Sequence, residues 1–209
     1  MKKILFIILL FIGAFCLGLY DAPTYVFGIF YVAVLFLFFW TMFYPFYFSK
    51  NLSHIERFLS KQSKKSILYF LYSITNHMHD EIEQSYQSVM KKRINPSKKA
   101  VYQVVYGFSN KDLPFIKERI DFIKVPEWNS YYKTLLFIEE NELETAKVTK
   151  DSMRSKKFKN VLEFELLLKE NKRDEAKTLL SRLISNSRDY HYYILSKRYE
   201  ETFNTKEKI

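Results

Sequence analysis

The densest set of groups able to hold a metal ion is His77, His79, Asp80, Glu81 and Glu83. On a helix, four-residue spacing faces His77 to Glu81 and His79 to Glu83. No third histidine follows at ligand spacing and no His-Glu-x-x-His pair occurs, so the cluster reads as a solvated helix start and no metal is expected. Lys91-Lys92-Arg93 with Lys98-Lys99 could grip phosphates of lipid or nucleic acid, although a solvated helix end, favoured by the helix dipole, accounts for the same residues. Tyr190, Tyr192, Tyr193 and Tyr199, with His191 and Arg198 among them, suit either an aromatic platform for a single strand or the packing of a terminal helix. The second reading is preferred, and nucleic acid is not an expected partner.

What is missing narrows the chemistry further. The one cysteine, Cys16, lies in an apolar run, which excludes a disulfide framework, a cysteine metal cluster and a cytosolic thiol nucleophile. Of the four glycines only Gly107 lies beyond the first fifty residues, so no glycine loop is available to cradle a phosphate. No catalytic residue and no cofactor is expected, and the chain reads as a non-enzyme.

The elements that would position these groups divide near Lys50. A mean hydropathy of −0.21 averages two unlike parts. Residues 1–50 carry only Lys2, Lys3, Asp21 and Lys50 as charges, and removing these from 33 Lys and Arg and 23 Asp and Glu leaves 30 against 22 in residues 51–209. The apolar runs over 4–20 and 25–48 are expected to form a two-pass transmembrane hairpin, turned at Asp21-Ala22-Pro23-Thr24. Basic residues before the first run and after the second place both termini on the cytoplasmic side, making the chain a multi-pass cell-membrane protein. A cleaved signal peptide is the rival, but Phe15 stands before Cys16 where processing wants a small side chain. Ala14 and Gly18, with Gly28 and Ala33, would allow close packing within the hairpin or between copies in a homo-oligomer.

Just after the hairpin, Lys50, Arg57, Lys61, Lys64 and Lys65 form a basic stripe beside an apolar one of Leu52, Ile55, Phe58 and Leu59. Two uses are open: a helix lying on anionic lipid headgroups, or an apolar stripe packed on the next helix, Ile67 to Tyr72. Apolar spacing stays helical to the C-terminus, with start signals at Asp80 and Glu83, at Asn141 and Glu144, and at Pro114. Residues 51–209 are therefore expected to be a basic, cytoplasmic, all-helical domain.

Within it, Leu136-Phe137-Ile138, Glu140-Asn141 and Ala146-Lys147 recur thirty residues later as Leu166-Leu167-Leu168, Glu170-Asn171 and Ala176-Lys177. Each unit, at about 130–154 and 160–185, is a helix, a polar turn at the asparagine and a second helix whose alanine permits close approach. Leu136, Leu166, Ala146 and Ala176 are the expected packing residues. Fainter echoes at Asn76 and Asn110 suggest about four helical pairs.

These units resemble the tetratricopeptide-repeat (TPR) family, helical hairpins in which a small residue opens the second helix. The resemblance implies an α-solenoid, protein binding through a groove lined by first-helix side chains, and a final capping helix around Tyr190 to Glu201. The expected function is a membrane-anchored scaffold that recruits a protein partner. The alternatives are a membrane-active or oligomerising hairpin that regulates the bilayer, and a binder of anionic lipid or nucleic acid through the basic helices.

Overall fold

A computed structural model describes residues 23–47 and 50–204, together with Ile12, Gly13, Phe15 and Leu19, with side chains over 41–47 left aside. The chain divides into two compact units, Met1–Ser49 and Lys50–Ile209.

In the first unit α1 runs from Thr24 to Tyr47. Tyr25, Ile29, Val32, Leu35 and Phe36 along it are exposed. The expected two-span hairpin, and with it the multi-pass membrane location with both termini cytoplasmic, needs correction. Among the described residues no helix is long and apolar enough to cross a membrane. The first expected run lies mostly outside the described residues.

The described residues of the second unit form helices joined by short turns, with no strand among them. Its helices are α2 (Leu52–Ser60), α3 (Ile67–Thr75), α4 (His79–Met90), α5 (Pro96–Asn110), α6 (Leu113–Ile120), α7 (Pro126–Glu139), α8 (Leu143–Ser152), α9 (Lys156–Lys169), α10 (Arg173–Ser185) and α11 (Asp189–Tyr199), closed by a π-turn at Glu200–Asn204. Four consecutive hairpins, α3/α4, α5/α6, α7/α8 and α9/α10, make up its body.

One backbone device turns all four. His77, Lys111, Asn141 and Asn171 each adopt a left-handed conformation, at φ 52°, 56°, 64° and 60°. In each, the amide of that residue donates to the carbonyl three back, and the next amide to the carbonyl five before it: Asn141 to Ile138 and Glu142 to Phe137, Asn171 to Leu168 and Lys172 to Leu167, Lys111 to Phe108 and Asp112 to Gly107, His77 to Ile74 and Met78 to Ser73. This is the Schellman closure, which satisfies last-turn carbonyls that would otherwise lack partners. Asn141 thus ends a helix rather than capping the next, and α4 starts at His79 with Asp80 already in its first turn, so neither expected start signal holds. Asp112 does cap α6, accepting from the Phe115 amide at 3.0 Å ahead of Pro114.

The four turns also fix a register. Residues four before and five after each left-handed residue are Ser73 and Ile82, Gly107 and Ile116, Phe137 and Ala146, Leu167 and Ala176. One small and one large residue occupy each pair. A Cβ on Gly107 would stand 2.6 Å from Cγ1 of Ile116. The small residue sits on the second helix in the last two hairpins and on the first helix in the first two.

Four core clusters follow one another along the stack, each shared with its neighbour. Tyr102 and Tyr106 of α5 pack on the first hairpin's Phe70 and Tyr86, and Tyr132 and Leu136 of α7 complete the second hairpin's core. Ion pairs repeat with the same period: Lys117 to Glu140 at 2.5 Å and Lys147 to Glu170 at 2.9 Å. This nearest-neighbour layering is the arrangement of a helical-repeat solenoid.

Candidate functional site

The site is built where the last helix meets the first helices of the stack. Tyr190, Tyr193 and Lys197 of α11 share one stripe by helical spacing. At one end, Tyr190 Oη lies 3.1 Å from Thr75 Oγ1. Tyr193 Oη donates to Asn76 Oδ1 at 3.1 Å and accepts from Asn76 Nδ2 at 2.8 Å, while its ring stacks on Tyr72. Lys197 reaches Glu56 of α2 at 3.4 Å with its ammonium 5.7 Å from the Tyr193 ring centre. At the other end, the Arg198 guanidinium forks onto Glu165 of α9 at 2.8 and 3.3 Å. Beyond the helix, His77 Nε2 lies 2.9 Å from Glu201 Oε1.

Between these ends, Tyr131 and Tyr132 of α7 lie within electrostatic reach of Arg198 and Tyr190. Burial holds the phenol of Tyr132 protonated well above its ordinary range, and the Tyr131, Tyr190 and Tyr102 hydroxyls nearby add to the effect. Burial does the same for Tyr131, close to Glu165 and Arg198, and for Tyr190 and Tyr193. These phenols stay neutral across the physiological range, and those of Tyr190 and Tyr193 serve as hydrogen-bonding groups on apolar bodies. Tyr193 is fully buried. The C-terminal helix therefore packs on α10 and α2 and also meets Thr75 and Asn76 at the end of α3 and Glu165 of α9, so it reaches the first hairpin as well as the last.

Of the residues that the repeat singles out for packing, Ala146 and Ala176 are fully inaccessible, and Leu136 and Leu166 are 5% and 2% exposed. The basic stripe disperses. Lys50 donates to the Ser185 carbonyl at 2.7 Å and Lys64 pairs with Glu81 at 3.0 Å, while Arg57, Lys61 and Lys65 are exposed. Beside them, Ile55 and Leu59 are fully buried, in a helix that packs on α3 and α11. Of the two uses left open for that apolar stripe, the structure has the packed one.

The acidic-histidine cluster is pulled apart by the turn at His77. Its side chain goes to Glu201, Glu81 is taken by Tyr69 and Lys64, and Glu83 by Tyr106 and Gln87. No group of three potential metal ligands occurs among the described residues. Tyr69, losing solvent and bonded to Glu81, is pushed up to about 12.

Sequence reasoning missed Thr75, Asn76, Glu56 and Glu165, the polar partners that α11 finds. Nothing in their local spacing marks them, because each is recognised only by a residue more than thirty positions away. The tyrosine stripe of α11 was the one visible half. No protein family, curated protein or solved structure matches the chain.

Proposed function

We propose that this chain is a non-enzymatic scaffold that recruits a protein partner through its stack of helical hairpins. The observation that carries this reading is that residues of α2, of α3 with Asn76 at its end, and of α9 already hold an α-helix, α11, by stacked rings, paired hydroxyl and amide groups and two ion pairs. A surface that accommodates one helix in this way offers the same groups to another. The chemistry it selects is an amphipathic helix with aromatic residues three apart and a cation one turn on, for Asn76, Thr75, Glu56 and Glu165 to receive. In this reading α11 is the resident occupant, and a partner helix competes with it.

The test is photo-crosslinking in cells from a benzophenone side chain placed at Tyr102, within the face, and at Lys177, outside it. Discrete protein adducts are expected from Tyr102 alone. They should increase when Asn76→Ala and Glu165→Ala together loosen α11, and fall when a synthetic peptide covering residues 187–204 is added to the lysed cells before irradiation. Identical adducts from both positions, unaffected by loosening or by the peptide, would refute the reading.

A further inference from the structure

A second site lies where α9, α10 and α11 converge, away from the stripe that holds α11. A cavity of about 420 Å³ opens there, lined among others by Lys157 and Asn160 of α9, Arg182 of α10, Ser187 and Arg188 of the connecting segment, and His191 of α11. Lys157 and Asn160 stand three apart and so share a face of α9. Arg188 occupies the position before α11 without capping it through its side chain.

Charge in this cavity is unbalanced. Its one carboxylate, Asp189, accepts the His191 amide at 3.0 Å and is also the acid near Lys157. Asp189 is held in the left-handed region at φ 57°, a conformation an aspartate tolerates at modest cost and one that begins α11 directly at the cavity wall. Arg182 and Arg188 have no carboxylate partner among the described residues, whereas Lys147, Lys150, Lys197 and Arg198 are each paired. Three cations thus surround one committed acid, with an asparagine amide, a serine hydroxyl and an imidazole interleaved. Loss of solvent pushes Lys157 and His191 down, the latter also through the nearby Lys157 charge, while Asp189 opposes both shifts.

We infer that this cavity binds a phosphate-class anion, either free phosphate or a phosphomonoester. Two guanidinium forks suit the tetrahedral oxygens of such a group, the lysine adds a point charge, and the neutral donors can fill remaining lone pairs. The cavity is larger than a phosphate ion, which leaves room for the ester's organic part. Because Ser187, Arg188, Asp189 and His191 line the cavity and form the entry to α11, an occupying anion would also steady the start of that helix.

Isothermal titration of the full chain with inorganic phosphate and with phosphoserine, at fixed ionic strength and against sodium chloride, tests the inference. Saturable binding of at least one phosphate probe is expected, with tighter binding of phosphoserine indicating an ester ligand and equal binding indicating the free ion. The double variant Arg182→Gln/Arg188→Gln should lower affinity at least tenfold. Lys177→Gln, which removes an exposed charge from α10 outside the cavity, should leave it within twofold. Amide exchange over 187–193 should slow on phosphate addition in the parent chain and not in the double variant. No saturable binding, or an equal loss in Lys177→Gln, would overturn the inference, the latter by tracing attraction to the general basic field. A circular dichroism spectrum matching the parent's shows that the double variant is folded. If it is not, the single variants Arg182→Lys and Arg188→Lys, which keep the charge and lose the fork, should each weaken binding, and unchanged affinity in both would equally overturn it.

Discussion

Replacing Gly107 by alanine tests the small-against-large register on which the hairpins depend. The added Cβ would lie 2.6 Å from Cγ1 of Ile116 and 3.2 Å from Cδ1 of Phe115, where ordinary contact begins near 3.4 Å. Ile116 is fully buried and branched at Cβ, so it has little freedom to turn away. Overpacking of this kind costs about 1–3 kcal/mol, while exchanging glycine for alanine within a helix returns about 1 kcal/mol. The net expectation is a loss of about 1 kcal/mol, which for a domain of this size lowers Tm by about 2–4 °C. Ile116→Ala alone opens a cavity and should cost about 2–5 kcal/mol. In that background Cγ1 is gone, and Gly107→Ala should become stabilising by about 1 kcal/mol, a coupling of about 2 kcal/mol between the two sites. Urea unfolding followed by helical circular dichroism on the four chains of the cycle measures it. A Gly107→Ala effect of the same sign and size in both backgrounds would refute the register.

Four further outcomes follow from the same structure. Asn141→Gly should leave stability unchanged or raise it slightly, and Asn141→Val should lower it by about 1–2 kcal/mol, since only the second penalises a left-handed backbone; equal urea midpoints would contradict this. Tyr193→Phe should cost about 1 kcal/mol, because it removes the hydroxyl that bonds both Oδ1 and Nδ2 of Asn76, leaving Nδ2 only the Tyr72 carbonyl, while keeping the ring, and amide exchange in α11 should quicken. Ser196→Ala should be stabilising by about 0.5 kcal/mol, since the Ser196 hydroxyl is buried without a partner among the described residues and alanine favours the helix, and a lower Tm would argue against it. Glu170 is held down to about 2 by hydrogen bonds from Lys172 and Lys147. A carboxylate depressed in the folded state adds stability that is full above its unfolded value of about 4.3 and is lost as pH falls toward 2. Urea midpoints between those limits should therefore fall less steeply in Glu170→Gln than in the parent, and parallel curves would dismiss the pair as a contributor.

The last two hairpins were legible in the sequence because their solution to close packing is a visible one: an alanine at a fixed distance after an asparagine, twice, thirty residues apart. The first two use the inverse solution. There the first helix supplies Ser73 or Gly107 and the second supplies isoleucine, and the turn residue is His77 or Lys111 instead of asparagine. A comparison of residue types sees only faint echoes, displaced by one position to Asn76 and Asn110, although the backbone hydrogen bonds are the same in all four. The energetic requirement is on the sum of two facing volumes, and sequence self-similarity does not measure a sum.

By itself, then, the sequence determined what is local or periodic: helix over strand and a body of repeated helical hairpins. These follow from spacing within a few turns, which a linear reading captures. It overreached on the apolar N-terminal runs, where hydropathy was taken for a two-pass hairpin that the described helices do not support. Only the tertiary structure decided where the last helix goes. Tyr193 with Asn76, Lys197 with Glu56 and Arg198 with Glu165 join residues 117, 141 and 33 positions apart. The same holds for the convergence of Lys157, Arg182 and Arg188 on one cavity. Such pairings depend on how the hairpin-to-hairpin rotation accumulates along the stack, a quantity set by all the facing side chains together and by no single stretch of them.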